Sequence, residues 1–175
     1  MTPDRPRRAF IGIGSNLGDR LENLQLALTY FKRQGAHVVE VSNVYDTKPV
    51  GGPAQPNYLN AVFEVLWRDG ANDLLALAQA AEVNAHRVRG EKWGPRTLDV
   101  DIVAVDGISL AAADDPTRLA LPHPLAHTRA FVLEPLAELA PTFELEPGKT
   151  VAELLAALPE QARADVERTS LTLTI

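Results

Sequence analysis

The chain of 175 residues is 46% apolar and 23% charged, with a formal net charge of −6, enough for one domain with a real core and without a basic surface that would invite nucleic acid at large. It has no cysteine, which excludes disulfides, thiolate metal sites and cysteine nucleophiles together. No stretch approaches the roughly 20 apolar residues that span a bilayer, and the mostly apolar run between Arg8 and Gly14 is too short for a signal peptide, so the expectation is a single cytoplasmic domain over residues 1–175 with no membrane partner.

Residues 8–14, Arg-Ala-Phe-Ile-Gly-Ile-Gly, read as a buried strand with a glycine-rich exit. Asp19, followed by Glu22, marks a helix start with both acids in the first turn. Leu21, Leu24, Leu28 and Phe31 share one helical face, and Gly35 supplies a stop. Residues 38–45 form a second strand. Residues 46–57 contain Pro49, Gly51, Gly52, Pro53 and Pro56 and read as a loop; ordered loops of about a dozen residues are often functional. A third strand over 58–67, a helix over 73–87, a second loop over 88–96 and a fourth strand over 98–105 follow, with Asp106-Gly107 as the closing turn.

Further along, 119–121 reads as a short strand, 131–139 as a helix stopping before Pro141, and 151–158 as another helix. The alternation of Thr with Leu or Ile in 170–175 predicts an edge strand. The β-α-β-β-α-β order of the first 105 residues is the ferredoxin-like α+β pattern, a mostly antiparallel sheet with helices packed on one face. A scaffold of that kind does not name a function.

The strongest local chemistry is Asp99-Val-Asp101. Alternation along a strand turns Leu98, Val100 and Ile102 one way and the two acids the other, with their stems roughly 6 to 7 Å apart. Neighbouring carboxylates repel unless a cation or solvent compensates. Two readings stand: a solvated strand face, or hard oxygen ligands for Mg²⁺, which keeps several waters and favours substrate phosphates. Arg87, Arg89, Lys92 and Arg96 lie just upstream, interrupted by Gly90, Trp93, Gly94 and Pro95. Cations on a loop beside a Mg²⁺ strand are the parts needed to neutralise a polyphosphate during transfer, and this combination favours phosphoryl chemistry. Trp93 is either an anchor for that loop or a ring that stacks on a flat heterocycle. His123, His127, Arg118 and Arg129 are further candidates for phosphate contacts.

Several look-alikes fail on spacing. Gly12-Ile-Gly14-Ser-Asn-Leu-Gly18 places its third glycine one position late for a dinucleotide fingerprint, and reads instead as a turn and close-packing motif. Gly148-Lys149-Thr150 mimics the end of a P-loop, but Phe143 stands where the earlier glycine belongs. No Gly-x-Ser-x-Gly or His-Glu-x-x-His occurs.

Taken in order, Ile13-Gly-Ser-Asn-Leu-Gly-Asp19, Tyr45-Asp-Thr-Lys-Pro-Val-Gly51, Gln55-Pro-Asn-Tyr-Leu-Asn60, Arg87-Val-Arg89, Trp93-Gly-Pro-Arg-Thr-Leu-Asp-Val-Asp101, Leu121-Pro-His-Pro124 and Arg129-Ala-Phe131 resemble the 6-hydroxymethyl-7,8-dihydropterin pyrophosphokinase family. The resemblance runs from about residue 9 to residue 141, leaving the tail from about 160 unassigned. It implies transfer of pyrophosphate from ATP to the hydroxymethyl group of the reduced pterin, with release of AMP, by a monomer. It implies two Mg²⁺ ions on Asp99 and Asp101, with Arg87 and Arg96 assisting the transfer. It further implies ATP contacts from Gln79, Arg89, Arg118, His123 and Arg129, with Glu82 beside Gln79 on its helix. The pterin pocket would comprise Thr47, Val50, Tyr58, Asn60, Trp93 and Phe131, the ring stacking between Trp93 and Phe131.

The chain departs from the family pattern at Gly90, where a lysine-containing pair is expected, so either Arg89 or Lys92 takes that lysine's place. Ala120 and Pro124 stand where some members carry threonine and tyrosine. Two rivals frame the expectation: a ferredoxin-like binding module without catalysis, and a different Mg²⁺ phosphoryl or nucleotidyl transferase releasing ADP or pyrophosphate.

Overall fold

The computed structural model describes residues 5–88, 90, 92–111 and 119–175. Its elements are β1 (Arg7–Ser15), α1 (Arg20–Arg33), β2 (His37–Val41), β3 (Tyr45–Thr47), β4 (Tyr58–Trp67), α2 (Ala71–Asn84), β5 (Asp99–Val105), α3 (Ala130–Leu139), β6 (Glu144–Glu146), β7 (Lys149–Thr150), α4 (Val151–Ala157), α5 (Glu160–Ala164) and β8 (Val166–Arg168). The main sheet runs β5-β1-β4-β3-β8, with β2 also pairing with β4, and its ladders are antiparallel. This is the ferredoxin-like order, extended by one strand from the C-terminal segment.

Alternation along the central strands builds two cores rather than one. Ala9, Ile11 and Ile13 of β1 and Leu59, Ala61, Phe63 and Val65 of β4 face α1 and α2. Phe31 of α1 meets Phe63 edge-on, with centroids 5.1 Å apart. On the opposite face, Phe10, Val62, Val103 and Ala104 pack under α3 and α4, and Phe10 meets Phe143 edge-on at 5.0 Å. Helices therefore cover both faces, not one as the first 105 residues suggested. The second layer comes from residues beyond β5, which the βαββαβ pattern does not include.

The helix signals hold locally. Asp19 accepts the Glu22 backbone N–H at 3.0 Å as the α1 N-cap. Gly35, at φ +87°, ends that helix. The predicted strand over 38–45 is in fact two pieces. At the break, the Ser42 hydroxyl accepts the Val62 N–H at 3.0 Å, while Ser42 N–H donates to Val62 O at 2.9 Å. A side chain thus replaces a backbone carbonyl in the ladder. Residues 119–121 contribute only a bridge from Leu121 to Leu110.

The predicted edge strand over 170–175 is also corrected. Gln25 of α1 supplies both hydrogen bonds a neighbouring strand would give, donating to Thr174 O at 2.8 Å and accepting from Thr174 N at 2.9 Å. Leu173 is thereby pinned into the first core. The edge strand that does form is β8, which pairs with β3 from Tyr45 opposite Arg168 to Thr47 opposite Val166.

Glu138 at the end of α3 ties the second layer to the β2–β3 break. It accepts from the Asn43 backbone N–H at 2.9 Å, from the Asn43 side-chain amide at 2.8 Å, and from the Tyr45 hydroxyl. Burial alone would raise its pKa, but these donors outweigh it and hold the carboxyl below its ordinary value. Its contribution is therefore complete above the unfolded value near 4.3 and is lost as pH falls through the lowered folded value. Glu138→Ala is expected to cost about 1 kcal/mol at pH 7 in urea unfolding. The difference from wild type should shrink when the same titration is run below about pH 4.

Candidate active site

The second face of the sheet is covered by α3 and α4 over only part of its area. On the rest, the register places Gly12 opposite Asp101, and Gly14 opposite both Asp99 and Asn60. Leu98, Val100 and Ile102 are committed to the first core, so Asp99 and Asp101 rise from the open face. Gly12 and Gly14 lie inside β1, so of the turn and close-packing reading of their motif the close packing is what holds for them. A Cβ at Gly14 would sit 2.6 Å from Asn60 Oδ1, so the missing side chain is what admits the Asn60 amide to the floor.

Above this floor lies a cavity of about 910 Å³. It is lined by Thr47, Val50, Tyr58, Asn60, Gln79, Arg87, Trp93, Arg96, Asp99, Asp101, His123, Arg129 and Phe131. These are all the sequence-predicted site residues except Arg89 and Arg118, which lie outside the described residues. Residues drawn from six separated segments thus converge on one opening.

The charges inside are tightly interlocked. Asp99 Oδ1 accepts from Arg87 Nη1 at 2.9 Å and from Arg96 Nη1 at 2.8 Å. Arg87 also bridges to Glu82 of α2, and Glu82 in turn accepts the Val100 backbone N–H at 2.8 Å. Burial raises the Glu82 pKa. The neighbouring Asp101 is pushed up to about 7, first by burial and then by the charge of Asp99. Among the described residues no group of three or more histidine or acidic side chains gathers into a cage for a metal. Two carboxylates on one open face suit Mg²⁺, which completes its octahedron with water and substrate phosphates, better than a metal that needs a full set of protein ligands.

The opposite wall is flatter and less charged. The Asn60 side-chain amide donates to Thr47 Oγ1, which leaves its Oδ1 free to face a ligand over Gly14. The Tyr58 hydroxyl donates to Gly94 O at 3.3 Å. Arg129 lies 5.5 Å from the centroid of the Phe131 ring. His123 Nδ1 accepts the Leu125 N–H at 3.1 Å, so the neutral imidazole carries its proton on Nε2. Burial and then the Arg129 charge lower its pKa.

The profile of the 7,8-dihydro-6-hydroxymethylpterin-pyrophosphokinase family matches residues 10–141. The chain belongs to this family. Over 154 residues it is 42% identical to the Pseudomonas aeruginosa 2-amino-4-hydroxy-6-hydroxymethyldihydropteridine pyrophosphokinase, covering 87% of this chain and 93% of that one. The Mycobacterium leprae enzyme of the same name is 43% identical over 178 residues, covering 96% and 92%. Among solved structures, the Plasmodium falciparum HPPK-DHPS with pteroate superposes with a TM-score of 0.70 at 11% identity, covering 87% of this chain and 44% of that one. This chain thus spans about half the length of the Plasmodium protein, and at that identity the likeness speaks for the fold alone.

Family motifs had placed Glu82 next to Gln79 without a role. Its bond to Val100, across an α2–β5 contact, carries no sequence signal because neither residue has a diagnostic neighbour. Asn16 and Gln55 were likewise quoted only as motif letters, yet they hydrogen-bond to the loop carrying Trp93 and Arg96. The floor geometry gives a direct test. Gly14→Ala is expected to displace the Asn60 amide and weaken binding of a hydroxymethylpterin by about 10- to 100-fold in isothermal titration. Unchanged affinity would show that Asn60 does not depend on the bare floor.

Proposed function

We propose that the chain transfers pyrophosphate from ATP to the hydroxymethyl group of 6-hydroxymethyl-7,8-dihydropterin, giving the pterin diphosphate and AMP in folate biosynthesis. The observation that carries this reading is the single cavity joining the paired acids and two arginines to a flat, partly aromatic wall. The acids and arginines fit a polyphosphate donor, and the aromatic wall fits a flat heterocyclic acceptor.

In the reaction, the hydroxymethyl oxygen attacks the β-phosphorus of ATP. The new O–P bond forms as the bond from that phosphorus to the α–β bridging oxygen breaks, and this oxygen leaves with AMP while the hydroxyl proton is lost. Asp99 and Asp101 would hold two Mg²⁺ ions, whose charge offsets that of the phosphates. Charge builds on the α-phosphate, and Arg87 and Arg96 are the guanidiniums beside it. Both rest on Asp99 Oδ1, and their planar forks suit phosphate oxygens equally well. Gln79, Arg129 and the Nε2–H of His123 add neutral and charged donors for ATP. Arg89 and Arg118 belong to the same ATP set by family resemblance, and either Arg89 or Lys92 serves as the loop cation.

On the other wall, Thr47 orients Asn60 so that its Oδ1 accepts from the N–H edge of the pterin. The ring lies between Trp93 and Phe131 against Tyr58 and Val50. By family resemblance the loops over 46–57 and 88–96 close over the reactants, excluding water that would compete for ATP. The proposal includes a monomeric cytoplasmic enzyme formed by one domain.

The defining assay incubates the protein with ATP, Mg²⁺ and 6-hydroxymethyl-7,8-dihydropterin and identifies the nucleotide formed. AMP appearing only with pterin present is the expected result; ADP, or no turnover, rejects the reading. Chelation with EDTA is expected to abolish turnover, and added Mg²⁺ to restore it. Asp101→Ala should lower kcat by at least about 100-fold while the folded state persists by circular dichroism, because it removes ligation and relieves repulsion together. A near-normal rate in that variant would refute the metal assignment.

A further inference from the structure

The segment from Trp93 to Arg96 carries a stacking ring at one end and a phosphate-side guanidinium at the other, and both ends are tied down by the same pair of amides. The Arg96 backbone N–H donates to Asn16 Oδ1 at 2.9 Å, and the Asn16 N–H donates to Arg96 O at 3.1 Å. Asn16 Nδ2 then donates to Gln55 Oε1 at 2.9 Å and to Pro56 O at 3.0 Å. Gln55 Nε2 completes the circuit by donating to Trp93 O at 2.8 Å. Each amide is oriented by the one before it. Because Asn16 presents its Nδ2 to Gln55 Oε1, the only group Gln55 can turn toward Trp93 is a donor, which is what the Trp93 carbonyl needs.

Two further features show that this ring sets geometry rather than merely filling space. Trp93 has φ +67°, a left-handed conformation that a bulky side chain leaves unless something holds it. Gly52, at φ +78°, comes so close that a Cβ there would lie 2.5 Å from Trp93 O. The loop carrying Gln55 is therefore molded around the Trp93 carbonyl. Asn16 is 3% exposed, so its end of the relay is shielded from competing water.

We propose that Asn16 and Gln55 are positioning residues that lock the pterin-side loop to the Trp93–Arg96 segment, so that the stacking ring and the phosphate-side arginine are placed as one unit. The inference rests on the pyrophosphokinase reading above and extends it to residues that touch neither reacting atom. Gln55 acts on Trp93, and Asn16 acts on Arg96 and on the orientation of Gln55. Loss of the Gln55 link frees the Trp93 end while leaving the Arg96 end held by Asn16, so the defect falls on pterin rather than on ATP.

The test uses Trp67→Phe as the parent, in which Trp93 is the sole tryptophan, since the chain has two. Gln55→Met keeps the side-chain length and removes the links to Asn16 and Trp93, together with the longer bonds to Pro53 O and from the Tyr58 hydroxyl. In the ligand-free protein, acrylamide quenching of Trp93 is expected to rise at least about twofold, and KM for the pterin about tenfold, with KM for ATP within about twofold and the thermal midpoint little changed. Gln55→Glu keeps the acceptor for Asn16 but loses the donor to Trp93, and should match Gln55→Met at neutral pH. When Trp93→Ala is already present, Gln55→Met should add less than about a twofold change. Unaltered quenching and pterin KM, or a full further tenfold loss in the Trp93→Ala protein, would overturn the relay. If the parent forms no AMP, the functional reading fails by itself, and the quenching comparison alone still decides whether Gln55 holds Trp93.

Discussion

Because successive side chains on a strand point to opposite faces, the residues of β1, β4 and β5 that build the first core leave their neighbours no choice of direction. Those neighbours form a second face that must serve two purposes. Where Phe10, Val62 and Val103 stand, it is covered by α3 and α4 and becomes a second core. Where Gly12, Gly14, Asn60, Asp99 and Asp101 stand, it stays bare and becomes the floor of the cleft. The boundary between core and site is thus a change of residue type along three adjacent strands, and no separate domain or insertion is needed to make the opening.

Of the two acids on that floor, Asp99 carries its own counter-charges. Asp99 is held by two guanidiniums, and one of these is shared with Glu82. Removing carboxylates from water is unfavourable unless opposite charge comes with them, and Arg87 and Arg96 provide it. The guanidiniums that satisfy Asp99 present planar forks, a geometry that also fits phosphate oxygens.

Much of this was legible in the sequence, for stated physical reasons. Periodicities of two and 3.6 marked β1, α1, β4, α2 and β5, and the spacing of Asp99 and Asp101 against Leu98, Val100 and Ile102 gave their direction. The family motifs brought thirteen separated residues to one cavity. What stayed hidden depends on partners distant in sequence. The break between β2 and β3 is made by the Ser42 hydroxyl and by Glu138 from α3. The failure of 170–175 to pair is made by Gln25. Local pattern cannot show that a side chain will substitute for a strand, and Gly12 and Gly14, read by spacing as a turn and close-packing motif, proved to be close-packed floor because their neighbours across the ladder are Asn60 and Asp101.

The bond from Glu82 to the Val100 N–H has a consequence on the other side of the sheet. β5 is an outermost strand, and such strands present unmatched backbone groups that can recruit a second chain. β5 carries a register shift opposite Phe10 and Ile11, one of the irregularities that blunt such edges, but no lysine or proline. A carboxylate from α2 instead occupies one of its outward donors and at the same time anchors Arg87. The group that steadies Arg87 thus also satisfies part of the backbone along the sheet's outer edge.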